Sequence, residues 1–262
     1  MGDGGACTVI GIVVPCFNEA DRLDVGEIGD AIERYSDWAF VFVDDGSTDS
    51  TRAVLAKLQS RHGTRVKVLD LEPNRGKGEA VRMGMRESLS RGVDIVAYVD
   101  ADASTPFREL ERLIERLQSD VETDVVLGSR VRLLGADVRR SPVRHVVGRV
   151  YGTLASLALA APVYDTQCGA KVFRRTPRLS DALSRPFQER WAFDVELLSR
   201  LTGRVGSPAW AYIVEEPLHV WHARAGSKLG PGDGLRAVLG LLRIGWRYRR
   251  SASGREVPTV DV

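Results

Sequence analysis

The chain is poor in cysteine, in net charge and in long apolar runs, and each shortage excludes a class of protein. Its 262 residues include three cysteines. None of them forms a CxxC pair, which argues against a disulfide framework or a zinc site and suits a reducing compartment. The net charge of +2 indicates no general affinity for nucleic acid.

The sequence also lacks segments that would direct it into or across a membrane. No run reaches the roughly 18 apolar residues that a membrane-spanning helix needs. The first residues carry no basic segment, and their apolar run breaks at Pro15, so they indicate a strand rather than a signal peptide. These features predict a cytoplasmic protein.

Up to about residue 130, short β-branched runs alternate with amphipathic stretches. Strands are predicted at Val9–Val14, Phe40–Val43, Arg65–Leu69, Ile95–Val99 and Asp124–Leu127. Helices are predicted at Gly26–Tyr35, Ser50–Arg61, Lys77–Arg91 and Phe107–Leu117. This alternation is typical of a parallel sheet with helices on both faces. The pattern therefore predicts a doubly wound α/β fold, in which ligands bind at the carboxyl ends of the strands.

Beyond about residue 130 the alternation fails. There we expect an arginine-punctuated, partly apolar segment Ser141–Ala161, a strand Ala170–Arg174, a helix around Phe193–Leu201, a strand near Ala211–Val214 and an amphipathic helix near Gly234–Arg250.

Acidic residues follow the fourth predicted strand as Asp100-Ala101-Asp102. Two carboxylates one residue apart can hold a hard divalent cation, which prefers oxygen ligands and leaves positions for phosphate oxygens. Such a cation would stabilise charge on a departing diphosphate. The alternative is a solvated turn in which Asp102 caps the next helix.

Two more polar loops fall at the same predicted edge of the sheet. In the DDGSTD segment Asp44–Asp49, capping explains one acidic residue, whereas the first two face the expected crevice and could accept hydrogen bonds from a base or a ribose. The NRGKG segment Asn74–Gly78 lacks Walker spacing, which argues against an ATPase. Its Arg75 and Lys77 suit a diphosphate or a sugar at a helix N-terminus, and an exposed basic loop fits equally well.

Together these motifs resemble a known family. The order and spacing of family 2 inverting glycosyltransferases are matched by Pro15-x-Phe17-Asn18-Glu19, Asp44–Asp49, Asn74–Gly78 and Asp100-x-Asp102. The dolichyl-phosphate β-glucosyltransferase branch, with polyprenyl-phosphate mannose synthases as close relatives, is resembled by Gly128-Ser129-Arg130, Asp165–Phe173 and Glu189–Leu198. The resemblance covers about residues 8 to 230.

The resemblance implies a GT-A fold, with a mixed and mainly parallel sheet, and Mg²⁺ or Mn²⁺ as cofactor. It also implies a nucleotide-sugar donor, with UDP-glucose favoured over GDP-mannose, and transfer to a polyprenyl or dolichyl phosphate. We expect one catalytic domain over residues 1–230, with a nucleotide-binding half at 8–128 and an acceptor half at 129–230. An amphipathic helix at 231–250 and a disordered tail at 251–262 would follow.

The resemblance also assigns donor-site roles residue by residue. It places Pro15, Asn18 and Glu19 in the nucleotide pocket and Asp45 near the base or ribose. It gives Asp100 and Asp102 to metal and diphosphate. Mannose synthases often carry a further metal ligand, Gln, two residues past the second Asp; here that residue is Ser104, so a third protein ligand is open.

An acceptor phosphate needs fixed cations, and guanidinium groups bind phosphate with two prongs. Arg130 and Arg144 match the acceptor-phosphate arginines of the mannose synthases, and Arg149 is a further candidate. The alternative is a basic face in water. A phosphate acceptor is already anionic, whereas a hydroxyl acceptor would need a carboxylate base.

Two acidic residues have open roles. Asp165 could orient the acceptor or the donor sugar. Asp194 could contact sugar hydroxyls, act as a base or simply cap a helix. Arg224 and Lys228 are predicted to reach the donor diphosphate from a closing flap.

Two apolar segments bear on whether the protein contacts a membrane and whether its acceptor is a lipid. The last helix, Leu235–Arg250, is basic and amphipathic, so it could lie in the bilayer interface at the cytoplasmic face or pack on the catalytic domain. Val150–Val163 offers a second apolar surface for a prenyl chain. Two other functions fit the motifs: transfer to a soluble sugar or natural-product hydroxyl, and non-catalytic binding of a nucleotide sugar.

Overall fold

A computed structural model describes residues 8–203, 207–224 and 233–251. Within these residues, the strands of the main sheet are β1 (Ile10–Cys16), β2 (Trp38–Asp44), β3 (Val66–Asp70), β4 (Ile95–Val99), β5 (Val125–Ser129), β7 (Ala170–Arg174) and β8 (Ile213–Pro217). A separate two-stranded sheet pairs β6 (Asp137–Arg139) with β9 (Val220–His222).

The main sheet has the order β3-β2-β1-β4-β7-β5-β8, and β7 runs antiparallel to both of its neighbours. All its other pairs are parallel. In the β1–β2 pair the register runs from Ile10 opposite Trp38 to Cys16 opposite Asp44. Because β1, β2 and β4 run the same way, the motifs that follow them lie at one edge of the sheet.

Helices cover both faces of this sheet. Their bounds are α1 (Val25–Arg34), α2 (Thr51–His62), α3 (Lys77–Ser90), α4 (Phe107–Gln118), α5 (Pro142–Leu159), α6 (Pro177–Ala182), α7 (Phe193–Thr202) and α8 (Asp233–Ser251), with 3₁₀ turns at Gly63–Arg65 and Pro208–Tyr212.

Alternate residues of β1 enter different cores, as expected of a strand buried on both faces. Ile12 packs in the core that holds α1, α2 and α4, whereas Val13 packs in the core that holds α3, α5 and α7. In α4, the buried residues Leu110, Leu113 and Leu117 recur at helical spacing. The predicted mainly parallel α/β fold with helices on both faces is therefore confirmed.

The second part of the chain departs further from the prediction. The segment expected at Ser141–Ala161 is the long helix α5, and no prediction covered the small sheet of β6 and β9. The strand expected near Ala211–Val214 begins later, at Ile213, because a 3₁₀ turn occupies the preceding residues. The predicted tail beyond Ser251 lies outside the described residues.

The predicted C-terminal helix is present as α8, and it packs against α5 and α7. Its Leu241 and Ile244 are buried. Gly245 lies so close to α5 that a Cβ there would come within 3.4 Å of the Cβ of Ala158. Among the described helices, none is long and apolar enough to cross a membrane.

Candidate active site

A cleft of about 550 Å³ opens at the carboxyl edge of the sheet, within the size range of small-molecule sites. Both halves of the chain line it. Its lining brings together these predicted residues: Pro15, Glu19, Lys77, Asp100, Asp102, Arg130, Asp165 and Arg224. The two-stranded sheet and α8 contribute Trp221 and Ala237, respectively.

Each carboxylate of the Asp100–Asp102 turn contacts a cation. Lys77 Nζ lies 2.5 Å from Asp100 Oδ1. Arg22 Nη2 lies 2.8 Å from Asp102 Oδ2, and the backbone N–H of Ser104 donates to Asp102 Oδ1 at 3.0 Å. Burial favours the neutral form of Lys77, but the charges of Asp100 and Asp194 outweigh it and raise the pKa of the ammonium. Sequence reasoning missed Arg22, whose only signal was its place three residues after Glu19.

The alternative that Asp102 caps α4 is wrong. The residue at the N-cap of this helix is Pro106, which makes no side-chain cap. Asp102 instead faces the cleft.

Gly169, just before β7, makes room for Asp100. A Cβ at this position would lie 2.0 Å from Asp100 Oδ2. The backbone N–H of Asp100 donates to the carbonyl of Gly169 at 3.0 Å, which holds the two loops together. The second half of the chain therefore fixes the position of a carboxylate that belongs to the first.

Asn18 and Asp45 lie outside the lining and hold loops in shape. Asn18 has a positive φ of 50°, and its Oδ1 accepts from the backbone N–H of Thr48 at 2.7 Å. Asp45 accepts from the backbone N–H groups of Arg75 and Gly76 at 2.7 and 2.8 Å. Burial raises the pKa of the Asp45 carboxyl. The Arg75 side chain is exposed, and the predicted contacts of these residues with a donor stay predictions.

Arg130 and Asp165 form a two-pronged ion pair. Arg130 Nε and Nη2 donate to the two Asp165 oxygens at 2.7 and 2.8 Å. Burial by itself raises a carboxyl pKa, but the Arg130 guanidinium lowers that of Asp165 to about 2. The same pairing raises the pKa of Arg130. The guanidinium also lies over the Trp221 ring, 5.3 Å from its centroid.

The other predicted arginines are placed differently. Arg149 lies outside the lining, with its guanidinium over Tyr164 at 4.0 Å from the ring centroid. Arg144 belongs to α5, and its side chain is outside the described part of the chain, as is the whole of Lys228. An unpredicted arginine, Arg140, does line the cleft. The adjacent pair Arg139-Arg140, just before α5, was the available signal.

Asp194 is buried and lies outside the cleft lining. It is 4% exposed, and Lys171 Nζ lies 2.8 Å from its Oδ1. The Tyr98 hydroxyl donates to the same oxygen. Burial, followed by the charge of Asp194, raises the pKa of Tyr98. The alternative that Asp194 caps α7 is wrong, because the N-cap is Ala192. Its role as a base or sugar contact stays a prediction.

Solved structures define the class of fold. A glucosyl-3-phosphoglycerate synthase from Mycobacterium tuberculosis in complex with UDP matches with a TM-score of 0.64 at 19% identity, covering 91% of this chain and 80% of that one. The same enzyme in complex with Mn²⁺, UDP-glucose and phosphoglyceric acid matches with a TM-score of 0.65 at 22% identity, with the same coverage. These matches confirm the GT-A fold of nucleotide-sugar transferases.

The chain belongs to glycosyl transferase family 2, whose family model matches residues 11–178. A dolichyl-phosphate β-glucosyltransferase of Dictyostelium discoideum is 31% identical over 258 residues, covering 91% of this chain and 74% of the relative. The Saccharomyces cerevisiae enzyme of that name is 31% identical over 262 residues, covering 91% and 75%. The human one is 38% identical over 208 residues, covering 72% and 61%. The predicted family, branch and glycosyltransferase class are thus confirmed.

Proposed function

We propose that this glycosyltransferase moves glucose from UDP-glucose to a polyprenyl or dolichyl monophosphate with inversion at the anomeric carbon. The names of its relatives support this choice, because those at 31% identity align with about nine tenths of this chain. The cleft, which receives motifs from both halves, is the site where donor and acceptor would meet.

The ion pairs made by the carboxylates of the cleft are the main observation in favour of a phosphate acceptor. Four carboxylates line the described part of the cleft, and each contacts a cation: Glu19 and Asp102 contact Arg22, Asp100 contacts Lys77, and Asp165 contacts Arg130. With a pKa of about 2, Asp165 is a weak base. A hydroxyl acceptor must lose a proton as it attacks, whereas a phosphate monoester is already anionic. These paired carboxylates therefore favour the phosphate.

A divalent cation fits the Asp100–Asp102 turn. Both carboxylates face the cleft, and the missing Cβ of Gly169 leaves space for that of Asp100. The described residues hold no group of three or more acidic, His or Cys ligands. Mg²⁺ often binds proteins through one or two carboxylates and completes its shell with water and substrate phosphates. The cation would supply charge stabilisation for the departing diphosphate.

Cations from the second half would hold the acceptor phosphate. Asp165 takes two of the N–H prongs of Arg130, so we assign the remaining prongs to the phosphate. Arg140 also lines the cleft and can add positive charge. Arg144 and Arg149 stay further candidates, as do Arg224 and Lys228 for the donor diphosphate.

The apolar face beside the cleft fits a lipid surface. On α5, Val146, Val147 and Val150 are 60%, 61% and 56% exposed. On α8, Leu242 and Trp246 are 64% and 58% exposed. Both helices also carry arginines, so each combines exposed apolar groups with positive charge, as interfacial helices do. Val147 lines the cleft as well, so a prenyl chain could run from the cleft into the bilayer. We infer peripheral contact with the cytoplasmic leaflet.

The reaction is tested by transfer of radiolabel from UDP-glucose in the presence of Mn²⁺ and polyprenyl phosphate. We expect label in an organic-extractable product, and a loss of rate on the order of 10²–10³-fold in Asp102→Ala because an electrostatic group is removed. Asp30→Ala, at an exposed aspartate on α1, is the matched control and should keep the rate. Label in a water-soluble product would instead support a soluble acceptor, and donor binding without turnover would support a binding protein.

Membrane contact is tested by flotation with vesicles that contain anionic lipid. We expect Leu242→Glu to weaken vesicle binding about tenfold, since it places a charge in the apolar face. Leu134→Glu changes a leucine that is even more exposed and lies on neither helix, and this variant should bind as the unmodified chain does. Equal binding by both variants would contradict the assignment of this face.

A further inference from the structure

Among the uncharged side chains of the cleft lining, three polar atoms have no hydrogen-bond partner among the described residues. They are the Tyr151 hydroxyl, Thr166 Oγ1 and Gln167 Nε2, and each atom is buried. All three residues line the cleft, and Thr166 is only 1% exposed. A buried polar atom left unpaired costs about 1–3 kcal/mol, so native proteins keep few of them. Three in one lining indicate a place where a ligand completes the hydrogen bonds.

The surrounding contacts hold these groups in place. Thr166 and Gln167 follow Asp165, whose backbone N–H donates to Glu215 at 2.6 Å and whose carboxylate accepts from the Gln167 N–H at 3.2 Å. Helix α5 approaches this loop closely at Gly152, where a Cβ would lie 2.4 Å from the carbonyl oxygen of Tyr164. Tyr151, the preceding residue of α5, is therefore held beside the loop. The backbone that carries the three groups is therefore fixed by contacts within the protein.

The chemistry of the three groups favours an uncharged ligand with several hydroxyls. A phenol, an aliphatic hydroxyl and an amide can each exchange hydrogen bonds with hydroxyl groups, and none carries charge. Burial raises the pKa of the Tyr151 hydroxyl, which keeps it protonated. Asp165, the carboxylate that precedes Thr166 in the loop, is paired with Arg130 at 2.7 Å. Trp191 in the same lining offers an apolar ring to the C–H face of a sugar.

We propose that Tyr151, Thr166 and Gln167 form the subsite that binds the hydroxyls of the transferred hexose and selects which hexose is used. This inference rests on the proposed function, because it assumes a nucleotide-sugar donor. It predicts that these residues contribute to the affinity for the sugar and leave the affinity for the nucleotide unchanged. An acceptor phosphate would instead need fixed positive charge, which these three side chains do not supply.

The test compares the dissociation constants of UDP and UDP-glucose, measured by calorimetry with Mn²⁺ and without acceptor. The variants are Thr166→Val and Tyr151→Phe, which keep the shape and remove one hydroxyl each, and Gln167→Leu. We expect the Kd of UDP to stay within about twofold, and that of UDP-glucose to rise about five- to tenfold per lost hydrogen bond. The preference for UDP-glucose over UDP-galactose should fall as the affinity for UDP-glucose falls.

Tyr164→Phe is the matched control, since it removes the same group from the same loop at a residue outside the cleft lining, and it should bind both ligands normally. Because the removed hydroxyls have no described partner, Thr166→Val and Tyr151→Phe should also melt no lower than the unmodified protein. A lower melting temperature would point to a structural role and overturn the subsite.

Other outcomes separate this inference from the proposed function. Equal weakening of UDP and UDP-glucose would overturn the subsite and leave the donor assignment intact. A rise in the KM of polyprenyl phosphate alone would assign the three groups to the acceptor and also overturn it. If the unmodified protein binds neither UDP nor UDP-glucose with Mn²⁺, the proposed function and the subsite both fail.

Discussion

The two halves of the cleft differ in how their polar groups are used. In the first half, the side-chain oxygens of Asn18 and Asp45 accept hydrogen bonds from backbone N–H groups and so fix the loops that follow the strands. In the second half, Tyr151, Thr166 and Gln167 keep buried polar atoms without partners among the described residues. Asn18 and Asp45 thus hold the loops of the first half, whereas Tyr151, Thr166 and Gln167 of the second half are the groups that we assign to a ligand.

This difference is consistent with the ligands assigned to each side. A nucleotide and its diphosphate are the constant part of a donor, so a rigid set of loops serves them well. The sugar and the acceptor are the variable parts, and the groups that would recognise them come from elements that follow no regular alternation, among them α5 and the loop before β7. Gly169 joins the two halves, because its missing side chain leaves space for Asp100.

Gly169→Ala should have the largest effect, because it disturbs the contact between the two halves. The added methyl group would overlap the Asp100 carboxylate, so that group must move by an ångström or more. Displacement of this size commonly costs about 10²-fold in rate, and we expect such a loss in glucosyl transfer. The matched change Gly29→Ala, in α1, meets no atom within 4 Å and should keep the rate. Full activity of Gly169→Ala would contradict the role given to this glycine.

Asp165→Asn should destabilise the second half in a pH-dependent way. The folded pKa of about 2 lies below the ordinary value of 3.8, so the ionised carboxylate stabilises the fold above about pH 4 and loses this effect as pH falls towards 2. We expect the variant to lose about 2 kcal/mol of unfolding free energy at pH 7 and much less near pH 2.5. Denaturant melts at both pH values provide the measurement, and a loss independent of pH would argue against the Arg130 ion pair as its cause.

Arg22→Gln should have the smallest effect, and it tests whether Arg22 competes with a metal ion for Asp102 in the first half. Arg22 contacts Asp102 at 2.8 Å, so a cation that binds this carboxylate must compete with the guanidinium. Because the pair is partly exposed, it contributes at most about 1 kcal/mol, and we expect Mn²⁺ to bind about two- to fivefold more tightly in the variant without nucleotide. Free Mn²⁺ measured by electron paramagnetic resonance tests this. Arg61→Gln, at an exposed arginine of α2, is the control, and weaker Mn²⁺ binding in Arg22→Gln would contradict the competition.

Much of the first half could be predicted because its signals are local. The strand β4 was predicted with its observed bounds, and the start of α3 at Lys77 follows from the glycine-rich loop before it. Asp100, Asp102 and Lys77 were all placed at the cleft correctly, since the ends of parallel strands meet at one edge.

The contacts that the predicted site residues make with other side chains could not be predicted from local sequence signals. Asp194 is predicted at the ligand, and the fold pairs it with the buried Lys171 and with Tyr98, outside the cleft lining. The spacing of acidic residues does not show which of them a buried lysine will neutralise. Arg140 was missed for a related reason, because many arginines in that region look alike until the fold selects those that face the cleft.

Hydrophobic period, turn residues and motif order were enough to establish the α/β architecture, the family and the edge of the sheet where the chemistry occurs, because each depends on neighbours along the chain. The charge state of the cleft was decided only by folding. Arg22 and Asp102 are 80 residues apart in sequence, and Arg130 and Asp165 are 35 apart. Only the packing of helices and loops against the sheet brings each pair within 3 Å, and that packing also determines which polar atoms remain for a sugar.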